Sequence, residues 1–167
     1  LRKELNKNVA LLLDTKGPEL RLRDFKDGSI ILEQGQEFTL LAENTLGDIN
    51  QVAINYGELA ATLEIGTKIL IDDGKIAMDV IIIEGKNVVC KIINGGKISN
   101  RKSVNIPNAS IPMPYICGKD HSDILFGIEN DVDYIAASFV RNAADVNQLR
   151  KLLDDNGGEH IKIISKI

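Results

Sequence analysis

Two kinds of hydrophobic pattern alternate along the chain. Towards its ends, apolar residues run almost without interruption at 9–13 (V-A-L-L-L), 134–140 (Y-I-A-A-S-F-V) and 161–167 (I-K-I-I-S-K-I). Strands covered on both faces of a parallel sheet read this way. Between the last two runs the period becomes helical. Asn142 can cap a helix with Asp145 three residues on, Val146, Leu149 and Leu153 form its inner stripe, and Gly157 stops it. A further helix is predicted over 120–130, where Ile124, Leu125 and Ile128 share a face. Strand, helix, strand with buried strands implies right-handed crossovers in a parallel sheet. The outer parts therefore predict an arc of a (β/α) barrel with three strands.

From Leu20 to about Asn108 the pattern shortens into β segments at 29–32, 37–41, 51–55, 68–71, 76–83, 88–93 and 102–106. Gly35, Gly47, Asp73-Gly74, Gly85-Lys86-Asn87 and Gly95-Gly96 punctuate them, and 56–64 can hold a helical turn. Asp73-Gly74 is the firmest hairpin turn, because glycine tolerates a positive φ. Short strands this close together suggest a small barrel. Pro107, Pro112 and Pro114 then stiffen an extended connector, and residues 2–8 read as the end of a surface helix or a loop. The expected fold is α/β plus an all-β insert: barrel segment 1–18, small β-barrel 19–114, barrel segment 115–167.

Composition narrows the function classes. The formal charge of -4 and pI near 5.2 argue against a nucleic-acid footprint, which needs a basic excess on one face. No apolar run approaches the roughly 18 to 20 residues of a membrane span. Cys90 and Cys117 follow no metal-ligand or secreted-scaffold spacing and read as reduced thiols. The first eight residues lack the apolar core of a secretory signal. A start at Leu1 and a stop at Ile167 inside a strand pattern suggest a segment of something longer.

Candidate chemistry gathers where apolar runs end. The first run breaks into D-T-K-G-P-E-L-R over 14–21, as a buried strand delivering polar groups to its C-terminal end should. Asp14 and Thr15 are hard oxygen donors suited to an alkali cation, or equally a capping pair. Lys166 stands in a nearly all-apolar strand. It reads either as an edge lysine snorkelling to water or as a desolvated functional amine. Arg21 offers a fork that fits phosphate, with Lys16 and Arg23 nearby. Asp72-Asp73-Gly74 by itself is a turn. Arg101 and Lys102 form a basic pair suited to nucleotide phosphates or an exposed turn. Ser138 and Arg141 close the 134–140 strand. His121 and His160 have no partner at catalytic spacing, and no Gly-rich phosphate loop is present.

The strings at 14–21 and 161–167, with Y-I-A-A-S-F-V-R at 134–141 and the stretches 71–74 and 94–105, resemble the pyruvate kinase family in order and over nearly the whole chain. That resemblance implies a (β/α)8 barrel with a β domain inserted after its third strand as a lid, hinged at Pro18 and Pro114. Cys117 stands where relatives more often place a Ser or Thr helix cap. The implied reaction moves the phosphoryl group of phosphoenolpyruvate to ADP, giving pyruvate and ATP, with Mg2+ and K+, in a cytoplasmic homotetramer.

The same resemblance implies the residue roles. Lys166 is the catalytic lysine and contacts substrate, Arg21 acts from the lid side, and Ser138 lies by the substrate phosphate. Lys102 and Asp73 serve the nucleotide and its metal. Asp14 and Thr15 belong to a potassium site completed by an Asn and a Ser before Leu1, and the Mg2+ carboxylates follow Ile167. An isolated segment is then expected to be inactive. The competing class is a non-enzymatic β-barrel that binds a metabolite or a protein.

Overall fold

In a computed structural model the described residues are Glu4, 6–107, Ala109 and 111–167. Most of the helix-or-loop expectation for 2–8, and Asn108 and Ser110 of the proline connector, lie outside them. The chain divides into two compact units, Leu1–Glu19 with Met113–Ile167, and Leu20–Pro112.

The first unit holds a three-stranded parallel sheet in the order β1 (Leu12–Asp14), β10 (Tyr134–Ala137), β11 (Lys162–Ser165). Leu13 pairs with Ile135, which pairs with Ile163. Two helices connect these strands, α1 (Gly118–Glu129) and α2 (Ala143–Asp154). Ile135, Ala137, Ile124, Leu149, Leu153 and Ile161 are buried together as the core. The helix starts follow local chemistry. Asn142 caps α2, its side chain accepting from the Asp145 amide at 3.2 Å. Cys117 caps α1, its Sγ accepting from the Asp120 amide at 3.5 Å and donating to Asp120 Oδ2 at 3.1 Å. The thiol therefore does the work of the hydroxyl it replaces.

The strands are less enclosed than their sequences imply. Only β10, flanked on both sides, is buried; Val9, Leu11, Leu12 and Ile164 are all more than 40% exposed (58%, 47%, 51% and 43%). The outer strands of a three-stranded sheet have a neighbour on one side only. Lys166 stands just past the end of β11 with a side chain 44% exposed.

The second unit is built from β2 (Ser29–Leu32), β3 (Glu37–Leu41), β4 (Gln51–Ala53), β5 (Lys68–Ile71), β6 (Ile76–Glu84), β7 (Asn87–Asn94), β8 (Gly96–Ser99) and β9 (Val104–Asn105). A six-stranded sheet runs β4-β3-β7-β6-β5-β9, and β2 pairs with β8. Burial alternates along β3 and β6, so each strand turns one face to a core that includes Phe38, Leu40, Ile69, Met78 and Ile92. A 3-10 turn at Leu59–Thr62 fills the expected helical turn. β8 is the element the sequence hides. Gly95-Gly96 reads as a turn, but Gly96 pairs with Leu32, and a Cβ on Gly95 would collide with the Leu32 carbonyl. The glycines permit a close approach of two strands. The strand expected at 102–106 shrinks to Val104–Asn105.

Candidate functional site

The C-terminal ends of β1, β10 and β11 bring together Asp14, Thr15, Ser138 and Lys166. Lys166 Nζ donates to Asp14 Oδ1 at 2.6 Å, and Ser138 Oγ reaches the same oxygen at 3.2 Å. These contacts span 152 and 124 residues of chain. The Lys166 ammonium, bonded to it, holds the Asp14 carboxyl below the usual carboxylate range; Ser138 adds a smaller push the same way.

Two hydroxyls replace main-chain groups where β1 and β10 part. The Thr15 amide still donates to the Ala136 carbonyl at 3.1 Å. Beyond that bond, the Ser138 amide donates to Thr15 Oγ1 at 3.1 Å and Ser138 Oγ donates to the Thr15 carbonyl. Thr15 and Ser138 are both buried. The two hydroxyls thus take over main-chain bonds where the strands leave regular pairing, and Asp14 and Lys166 stand at the exposed rim.

A second layer supports this rim. Buried Asp120, in the first turn of α1, accepts from the amides of Lys16 and Gly17 at 2.9 and 3.3 Å. Gly17 has φ +71, and a Cβ there would stand 2.6 Å from the Ser138 carbonyl oxygen. Arg141 grips buried Asp145 through two nitrogens at 3.0 Å, donates to the Met113 carbonyl at 2.9 Å and lies 6.0 Å from the Tyr115 ring centre. It is a structural residue of the unit. His160 lies 3.2 Å from Asp131.

In the second unit, Lys102 Nζ meets Asp72 Oδ1 at 2.9 Å and Lys75 Nζ meets Asp72 Oδ2 at 3.0 Å. The bonds from Lys102 and then Lys75 hold the Asp72 carboxyl below its ordinary range. Asp73 accepts from Ser103 Oγ at 3.4 Å. Arg21 donates from its backbone to Asn55 Oδ1 at 2.8 Å and from Nη1 to the Arg101 carbonyl at 2.6 Å. Arg101 forms a fork with Asp24 at 3.0 and 3.2 Å.

The chain and its fold have close relatives. The family described as pyruvate kinase, barrel domain, matches residues 1–167. The chain belongs to the pyruvate kinase family. It is 45% identical to the pyruvate kinase of Clostridium acetobutylicum over 168 residues, covering 100% of this chain and 36% of that protein. Identity to the Clostridium perfringens pyruvate kinase is also 45% over 168 residues, 100% of this chain and 35% of that protein. A crystal structure of a pyruvate kinase from Cryptosporidium parvum superposes with a TM-score of 0.88 at 35% identity, covering 99% of this chain and 35% of that one. The fold is thus that of the pyruvate kinase barrel domain, and the chain spans about a third of the length of the relatives it matches.

The sequence marks Asp72 and Gly17 only as turn and breaker residues and gives Asp120 no site role. Asp72 was hidden by its neighbour Asp73. Gly17 reads as a chain breaker before Pro18, whereas its surroundings also exclude any side chain. Asp120 could have been found from the spacing Cys117-x-x-Asp120, which mimics a capping box. Among the described residues no helix is long and apolar enough to cross a membrane.

Proposed function

We propose that this chain supplies part of the active site of an enzyme that transfers the phosphoryl group of phosphoenolpyruvate to ADP. The observation that carries this reading is the Lys166 ammonium held 2.6 Å from Asp14 at a parallel-strand terminus, with Ser138 on the same carboxylate. A non-enzymatic binding module has no need of a cation fixed there. Placement and not burial distinguishes Lys166, whose side chain is exposed.

Phosphoryl transfer asks a protein mainly for positioning and charge neutralisation. Lys166 offsets charge on the transferring phosphoryl group while an ADP oxygen bonds to phosphorus and the electron pair of the breaking P–O bond stays on the enolate oxygen. Asp14 orients that ammonium, and Ser138 lies near the substrate phosphate. Arg21 and Lys102 meet phosphate groups, and Asp73 serves the nucleotide metal. Asp14 and Thr15 supply a carboxylate and a hydroxyl, hard oxygen donors that fit potassium, which would add positive charge beside the phosphate when bound. Magnesium is assigned to carboxylates outside these residues. Segments 1–18 and 115–167 belong to a (β/α)8 barrel, and 19–114 forms a small β-barrel lid hinged at Pro18 and Pro114. The assembled enzyme is a cytoplasmic homotetramer working in glycolysis.

Two measurements test the reading. The chain alone is expected to give no pyruvate in a coupled assay. Placed in the Clostridium acetobutylicum enzyme in exchange for the matching third, it should sustain turnover. Lys166→Met in that chimaera should lower kcat by roughly 100- to 1,000-fold with a smaller change in KM. Full turnover by this variant would refute the assignment.

A further inference from the structure

Ser138 and Phe139 form an excursion opposite one residue of the neighbouring strand. The Lys166 amide donates to the Ala137 carbonyl at 2.9 Å, and the Val140 amide donates to the Lys166 carbonyl at 3.0 Å. In a regular parallel ladder the second bond would come from residue 139, two beyond Ala137. One extra residue has been inserted.

That residue is Phe139, with φ 54. A bulky side chain rarely occupies this left-handed region. Phe139 is 51% exposed, so burial of its side chain is not what holds the backbone there. The hydrogen bonds on both sides do so. Lys166 is gripped through its amide and its carbonyl, and Ser138 is tied through its amide and hydroxyl to Thr15.

We propose that Phe139 is a positioning residue: its left-handed backbone closes a bulge that clamps the main chain of Lys166 and turns Ser138 onto Asp14 and Thr15. Bulges beside functional sites re-aim side chains in this way. With residue 139 extended, the ladder would continue in register, Val140 would lose its bond to Lys166, and the side chains beyond would change faces. The inference rests on the proposed function only in taking Lys166 and Ser138 as substrate-facing. The bulge itself needs no substrate.

A series of substitutions at 139, read by NMR on the whole chain without ligands, tests it. The three-bond HN–Hα coupling of residue 139 reports φ, and the coupling across the hydrogen bond from the Val140 nitrogen to the Lys166 carbonyl carbon reports the clamp. Phe139→Gly and Phe139→Asn accept the left-handed region and should keep the clamp although the ring is gone. Phe139→Val, β-branched, should lose it, with the Val140 amide exchanging at least about tenfold faster. Thermal melting of each variant shows whether the unit stays folded, and the Gly and Asn variants carry the test if the Val variant does not fold. Loss of the clamp in Gly and Asn, or its retention in a folded Val variant, would overturn the proposal. If the clamp behaves as expected while the chimaera transfers no phosphoryl group, the enzymatic reading fails and the bulge stands.

Discussion

Asp14 and Asp72 solve the same problem in two different ways. Each carboxylate is met by two side chains and each is held below its ordinary range by a lysine. Asp72 finds Lys75 three residues away and Lys102 thirty away, so a turn and one strand pairing create its cluster. Asp14 depends on Lys166 and Ser138, more than 120 residues distant. Its cluster exists only if the order β1-β10-β11 and the ending of all three strands are right. The first arrangement is local and tolerant; the second is a property of the folded sheet.

Two glycines expose that difference most strongly. Gly17 and Gly74 both have positive φ, +71 and +86, but a Cβ on Gly74 meets nothing within 4 Å whereas one on Gly17 meets the Ser138 carbonyl oxygen at 2.6 Å. Gly74→Ala should cost only the backbone strain, about 1 kcal/mol. Gly17→Ala adds a collision with main chain at the candidate site, and roughly 2 to 4 kcal/mol is expected. Hydrogen exchange of amides in each unit, compared with the parent chain, measures both. Equal effects would mean that the 136–138 segment yields easily, and that the rim is not tightly built.

A smaller effect is expected at the carboxylates that anchor each unit. Asp145 is buried and receives a two-pronged bond from Arg141, whose guanidinium holds its carboxyl below the usual range. Asp145→Ala removes a buried carboxylate that accepts from both the amide and the guanidinium of Arg141 and should cost about 2 kcal/mol. Asp72→Ala leaves two lysines that remain in contact with water and should cost less, about 1 kcal/mol or below. The acid limb should separate them as well. A carboxyl with a depressed folded pKa contributes stability that is fully present above its unfolded value, about 3.9, and that is lost as pH falls through the lower folded value. The parent chain should therefore lose stability below about pH 4, and Asp145→Ala should flatten that decline.

What could be read from the sequence follows the same division. Local signals carried the Asp72-Asp73-Gly74 turn, the Asn142 cap with Asp145, and the helical stripe of Leu149 and Leu153, because each depends on neighbours three or four positions apart. End-of-strand reasoning placed Asp14 and Lys166 at strand termini, and the fold brought them into contact. Exposure of β1 and β11 was not legible, since an apolar run does not say how many neighbours its strand will have. Nor was β8, because Gly95-Gly96 carries the same letters whether it turns the chain or lets two strands approach. The Phe139 bulge leaves no letter pattern at all: S-F-V-R reads as continuing strand, and only the bonds to Lys166 reveal the extra residue.

The finest test replaces the lysines and watches the carboxylates. In Lys166→Met, Asp14 loses the largest influence on its ionisation and keeps only the weaker bond from Ser138, so its carboxyl should titrate close to the ordinary value of about 3.9. In Lys102→Met, Asp72 still accepts from Lys75 and should remain below that value. Carbon-detected NMR titration of the two carboxyls reads both shifts in the same sample series. An Asp14 that stays depressed without Lys166 would show that Ser138 or the strand-end amides hold its charge. The 2.6 Å contact would then be incidental to the electrostatics of the rim. A full return of Asp72 in Lys102→Met would show instead that its cluster, like that of Asp14, depends on a single distant partner.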